Sequence, residues 1–203
     1  MHEPEVADAL RARIADCRHC ADRFAATETE HAPRPVFRGA ASARILIAGQ
    51  APGARVHASG LPFDDPSGER LRAWMGVDRE TFYDAERIAM LPMAFCFPGY
   101  DAKGSDLPPP PDCARLWRPA ALGLFAQVRL TLCIGQYAQR WHLMPPRNQG
   151  VTETVRAWRA YGPSLVPLPH PSWRNTAWLK RNPWFEAEII PWLQGAIARE
   201  LDR

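Results

Sequence analysis

Arg44-Ile45-Leu46-Ile47-Ala48-Gly49 decides the fold: a short, β-branched, wholly apolar run that stops at a glycine. A strand that is apolar on both faces belongs in the interior of a parallel sheet covered on two sides. Three further runs read the same way. Ile88 to Phe95 is a second strand, Val128 to Ile134, closed by Gly135, is a third, and Ser164 to Leu168 is a fourth. Helical stretches lie between them. Ser67-Gly68-Glu69 opens one with Leu71 and Trp74 on its buried side, another begins near Cys113, residues 136–143 form a third, and Trp184 to Leu201 closes the chain. Residues 4–16, with Val6, Leu10 and Ile14 at helical spacing, form an amphipathic helix ahead of the first strand. Strand alternating with helix predicts a three-layer α/β/α sandwich around a largely parallel four-stranded sheet, formed by residues 1–203 as a single domain.

Composition agrees with that class. Of 203 residues, 46% are apolar and 23% charged, ordinary for a globular chain and far from disordered, collagenous or coiled-coil sequence. No apolar run reaches the length of a membrane span. The N-terminus lacks the apolar core of a signal peptide, so the expectation is a cytoplasmic protein, acting as a monomer, with no membrane partner.

Ligands of parallel sheets sit beyond the carboxyl ends of the strands. Here those ends open into residues 49–68, 96–112, 135–137 and 169–183, which hold most of the unusual residues. Charge points to the same half of the chain. Between Arg140 and Arg181 seven basic residues stand against the single acid Glu153, with tryptophans interleaved, whereas the first thirty residues hold seven acids and four bases. A basic segment with aromatic residues is one footprint of nucleic-acid binding, and a solvated face with unrelated core tryptophans is the other reading.

Five cysteines occur without an export signal, which disfavours a disulfide framework. Cys17-Arg-His-Cys20 places two thiols one helical turn apart, and Cys96 and Cys113 flank a proline-rich loop. Four thiolates suit either tetrahedral zinc or an iron–sulfur cluster. Cys133, inside the apolar Thr-Leu-Cys-Ile-Gly run, reads as a small buried hydrophobe.

The first-strand exit reads Gly49-Gln50-Ala51-Pro52-Gly53 and continues to Gly60-Leu61-Pro62-Phe63, and the last-strand exit reads His170-Pro171-Ser172-Trp173-Arg174-Asn175. With the four cysteines in order around them, these motifs resemble the uracil-DNA glycosylase superfamily, nearest its iron–sulfur-containing family 4 and 5 branches. The resemblance implies a [4Fe-4S] cluster on Cys17, Cys20, Cys96 and Cys113, with zinc as the alternative. It implies a monofunctional glycosylase that hydrolyses the N-glycosidic bond of uracil in DNA, with deaminated purines such as hypoxanthine or xanthine as further substrates.

Such an enzyme extrudes the base into a pocket. The resemblance assigns that pocket to Gly49, Gln50, Ala51, Gly53 and the stacking ring of Phe63, with His57 nearby. It makes His170 the donor to the base oxygen that gains charge. Ser172, Trp173, Arg174, Asn175, Lys180 and Arg181 become the DNA-contacting loop, combining a wedge with phosphate contacts. Three positions depart from the family pattern. Ala51 stands where family 1 has aspartate, Gln50 and Val56 where family 4 has acids, and Pro92 where family 4 has a base-reading asparagine. Asp64 and Asp65, which follow Phe63, are candidates to position water or stabilise the sugar cation, with Asp65 favoured, and His57 and Gln50 to hold water or read base edges, while Asp64-Asp65-Pro66-Ser67 also reads as a helix cap. Two other functions fit the same residues: a glycosylase-like module that binds DNA without cleaving it, and a zinc-stabilised nucleotide-binding protein.

Overall fold

The computed structural model describes residues 3–146 and 148–202; Arg147, counted in the basic segment, lies outside them. Four strands form one sheet: β1 (Ile45–Ala48), β2 (Ile88–Met90), β3 (Leu130–Ile134) and β4 (Leu165–Leu168). Their order is β2-β1-β3-β4 and every pairing is parallel, with Ile45 beside Ile88 and Leu130, and Thr131 beside Leu165. The sheet reverses its winding at β1, so the crevice beyond β1 and β3 is where such a fold accepts a ligand.

Side-chain alternation along β1 explains the three layers. Ile45 and Ile47 pack with Leu71, Trp74, Phe82, Leu193 and Ile197 on one face. These come from α4 (Pro66–Met75), α5 (Arg79–Tyr83) and α10 (Ile190–Leu201). Leu46 points the other way, to Ile14, Ala121 and Phe125, under α1 (Glu3–Ala15) and α6 (Pro111–Leu122). Ala48 meets Cys133 and Ala138, the latter on α7 (Gly135–His142). A one-residue slip of β1 would exchange its two buried faces.

The second strand is shorter than its sequence suggests. It ends at Met90, and residues 91–97 are irregular and all buried except the half-buried Pro92. Pro92 has no N–H to extend a ladder. The segment is held by isolated backbone bonds instead: Leu91 N–H to Ile47 O at 2.9 Å, Met93 N–H to Gly49 O at 2.9 Å, Ala94 N–H to Gln50 O at 3.0 Å. Five short helices fall where no long apolar period exists: α2 (Ala21–Ala25), α3 (Ala54–Ser59), α5, α8 (Val151–Arg156) and α9 (Thr176–Arg181). The last helix begins with a π-turn, Phe185–Ile189, before α10. Among the described residues no helix is long and apolar enough to cross a membrane.

Candidate active site and a four-cysteine cavity

A cavity of about 340 Å³ opens beyond β1 and β4, within the size range of small-ligand pockets. Gly49, Gln50, Ala51, Gly53, Phe63, Asp65 and His170 all line it, as do Ser172, Trp173 and Arg174 at its mouth. Sequence positions 120 residues apart therefore converge because parallel strands bring their exits to one edge.

The floor is set by close approach. A Cβ on Gly49 would lie 3.3 Å from the Phe63 ring, so the ring lies close over a backbone without a side chain. Phe63 takes a left-handed backbone, φ 56°, and packs edge-on to Phe82 at 6.2 Å. Its carbonyl sits over the first turn of α4, where a Cβ on Gly68 would meet it at 1.9 Å. Only glycine fits at position 68. Asp65 caps the same turn: its carboxylate accepts the Gly68 N–H at 2.9 Å, with Pro66 next. Asp65 thus caps α4 and also lines the cavity. Asp64 faces away from the cavity and pairs with Arg79 at 3.2 Å.

His170 is fixed on both sides. Its Nδ1 accepts the Ser172 N–H at 3.2 Å, and its carbonyl accepts from Asn175 Nδ2 at 2.7 Å. Gly135, at φ +74°, lies beside the ring, where a Cβ would be 3.7 Å from His170 Cβ. An Nδ1 that accepts a hydrogen bond carries no proton, so the neutral ring bears its hydrogen on Nε2. Burial lowers the His170 pKa, and the nearby Asp65 charge opposes that shift. The imidazole is thus a neutral Nε2–H donor, the form suited to an oxygen that becomes negative.

The mouth loop is braced from α4, where Arg70 donates to Ser172 O at 3.0 Å. Trp173 is 72% exposed, with the Arg174 guanidinium 5.8 Å from its ring centre. Lys180 and Arg181 are exposed on the last turn of α9, outside the cavity, and Asn175 serves the His170 backbone. The interleaved tryptophans separate: Trp158 is buried, and Trp141 and Trp178 pack on the core, which leaves Trp173 as the exposed ring among them. Two cations of the basic segment are engaged on the far side, Arg159 with Glu188 and Arg156 over Trp184.

His57 does not join the pocket. It lies on α3 but turns away from the cavity, edge-on to His31 at 5.0 Å and against Phe97 at 5.9 Å. Burial, with His31 and Arg34 adding to it, lowers its pKa. The reason is register: Val56, one residue earlier, is the buried cavity-facing position. Conversely, the sequence reading missed Asp106, which lines the cavity from the loop after residue 98 together with Tyr100.

A second, apolar cavity gathers the four cysteines. Cys17 follows α1, Cys20 caps α2, Cys96 ends the buried irregular segment and Cys113 lies in the first turn of α6; all four line one space. All are free thiols. Two are already hydrogen-bonded: Phe95 N–H donates to Cys113 Sγ at 3.4 Å and Trp117 Nε1–H to Cys17 Sγ at 3.3 Å. Burial raises Cys96 to about 12 and Cys113 to about 11. Among the described residues no group of three or more His, Cys, Asp or Glu side chains is set to hold a single metal ion. Cys133 is fully buried in β3.

The α/β/α sheet's strand ends converge on a glycine-floored pocket with a half-buried histidine and a basic, aromatic mouth. Residues 36–194 match the family described as the Uracil DNA glycosylase superfamily, and the chain belongs to it. Members of that superfamily are in general DNA glycosylases. The Cys17–Cys20 pair precedes the matched residues, while Cys96 and Cys113 fall within them.

Proposed function

We propose that this protein is a monofunctional DNA glycosylase that hydrolyses the N-glycosidic bond of uracil, and of deaminated purines such as hypoxanthine or xanthine, in DNA during base excision repair. The observation that carries this reading is that His170, its Nδ1 occupied by the Ser172 N–H, lines a pocket floored by Gly49 and the Phe63 ring. The extruded base stacks on Phe63. As the bond to C1′ breaks, its electron pair stays on the base, and His170 holds the charge that gathers on the base oxygen. Asp65 faces the electron-poor sugar with the oxygen its cap leaves over. Ala51 and Pro92 put no polar side chain against the base, which favours a wider choice of bases. Among the described residues no lysine lines the cavity, which favours water rather than an amine as the nucleophile.

Trp173 is the wedge and Arg174 a phosphate contact, with Lys180 and Arg181 extending the track. Cys17, Cys20, Cys96 and Cys113 hold a [4Fe-4S] cluster of the family 4/5-like type. Its donor set is soft, its surroundings are apolar, and N–H groups already point at two of the sulfurs. The cluster ties α1 and α2 to the segment beside the active site. The reading also makes the protein a monomer acting in the cytoplasm.

The test is base release from oligonucleotides holding uracil, hypoxanthine, xanthine or thymine opposite each normal base, followed by alkali. Cleavage at uracil or a deaminated purine is expected. Tight binding to these substrates with no cleavage would make the protein a DNA-binding module instead. Brown protein with iron and sulfide is expected on purification; colourless protein with zinc would replace the cluster.

A further inference from the structure

We propose that Asp106 is the carboxylate that holds and deprotonates the attacking water, an assignment that rests on the glycosylase reading above. The cavity walls narrow the choice. Ala51 and Pro92, at the exits of β1 and β2, carry no group able to activate water. Two carboxylates line the cavity, Asp65 and Asp106. Asp65 already spends one oxygen capping α4 through the Gly68 N–H. Asp106 has no helix to cap.

Its backbone is nonetheless fixed. Asp106 bridges Tyr100 in antiparallel fashion, Asp101 N–H bonds Ser105 O at 2.8 Å, and Leu107 N–H bonds Gly99 O at 2.9 Å. Inside the turn, Asp101 Oδ1 accepts the N–H groups of Lys103 and Ser105, each at 2.9 Å. The base of the turn is fastened to the N-terminal segment. Gly99, at φ +94°, lies so near Thr27 that a Cβ would meet its hydroxyl oxygen at 2.8 Å. His31 Nε2 donates to Phe97 O at 2.9 Å. Cys96 precedes this turn and Cys113 follows it, so the cysteine cavity brackets the segment that carries Asp106.

The charges around the carboxyl group are mixed. Burial raises its pKa, Arg174 lowers it, and Asp65 raises it. The net shift is upward, with burial its largest cause, and Arg174 opposes that rise, a second task for a residue of the DNA-facing loop. In the step itself, a water lone pair forms the bond to C1′ while the C1′–N bond breaks and its electrons pass to the base. The water proton moves to Asp106 and then, through solvent, to the departing base. The products are the free base and an abasic sugar with a hydroxyl at C1′; water is the only co-reactant.

Single-turnover base release by wild type, D106N, D106E and H170A, run beside abasic-DNA binding and iron content, tests the assignment. D106N is expected to be slower by about 10²-fold or more, the usual contribution of a positioned base, with binding and iron within about threefold of wild type. D106E is expected to recover part of the rate. A D106N rate within about threefold of wild type, while H170A is slow, overturns the assignment and leaves the glycosylase reading intact. Loss of abasic-site binding or iron in step with the rate also overturns it, by making Asp106 structural. Wild-type protein inert on every substrate overturns both.

Discussion

The cysteine cavity and the strand-end cavity share a wall, the irregular segment after β2. Ala94, Phe95 and Cys96 face the first, and Leu91 and Pro92 the second. The first is lined mainly by cysteine sulfur, proline, isoleucine and aromatic rings. The second carries two carboxylates, two arginines and an imidazole. On the proposed function, the contrast separates a site that shapes the chain from one that acts on a ligand. Damage to the first should appear in folding, and damage to the second in rate, and substitutions on the two sides of one wall can test that division.

The largest effect belongs to Cys96→Ala. It is expected to give colourless protein that is poorly folded, measured by iron content and circular dichroism. A well-folded, iron-free, fully active variant would erase the distinction between the cavities. Next is His170→Ala, expected to lower turnover by about 10²-fold, the cost of one preorganised donor, with melting temperature, iron and abasic-DNA binding retained. Joint loss of binding and rate would move His170 to the structural side.

Gly68→Ala sharpens the comparison from within the active cavity. The new methyl cannot coexist with the Phe63 carbonyl, so the backbone must shift, at a cost of about 1–3 kcal/mol for overpacking. A drop of about 2–4 °C in melting temperature per kcal/mol is expected, with a smaller loss of rate than His170→Ala.

A pH dependence is set behind the shared wall, and it is small near neutral pH. Arg118 is buried, donates to the Leu91 and Pro92 carbonyls at 2.8 Å, and reaches His142 Nε2 at 2.6 Å. Burial first, and the Arg118 charge second, lower His142 from 6.5 to about 4. The unfolded chain thus takes up the proton first as pH falls. Stability is full above pH 6.5 and declines towards about 4, at up to about 1.4 kcal/mol per pH unit. Denaturant titrations across that window should show the slope, and His142→Gln should flatten it.

The sheet was legible because a buried parallel strand needs apolar residues on both faces, and the four runs around Ile45, Ile88, Leu130 and Leu165 have them. The end of β2 was not, since apolar content marks burial and says nothing about ladder bonds, and Pro92 ends the ladder inside an apolar run. At the site, Gly49, Phe63, Asp65 and His170 could be read because they sit in motifs at strand exits. Asp106 could not. Its turn is held by its own backbone bonds and by contacts to Thr27 and His31 far away in sequence, and no local pattern announces a carboxylate delivered that way. His57 failed for the opposite reason: a short helix gives too little period to fix which side of it faces the pocket.

The partner of His170 Nδ1 is a main-chain N–H. The identity of residue 172 is therefore almost irrelevant to the proton's address on the ring: nearly any amino acid there supplies the same hydrogen, and proline alone lacks it. Sequence drift at position 172 can alter the hydroxyl that accepts the Arg174 N–H while the tautomer is inherited unchanged through the path of the chain, so the two properties of that position are free to evolve apart.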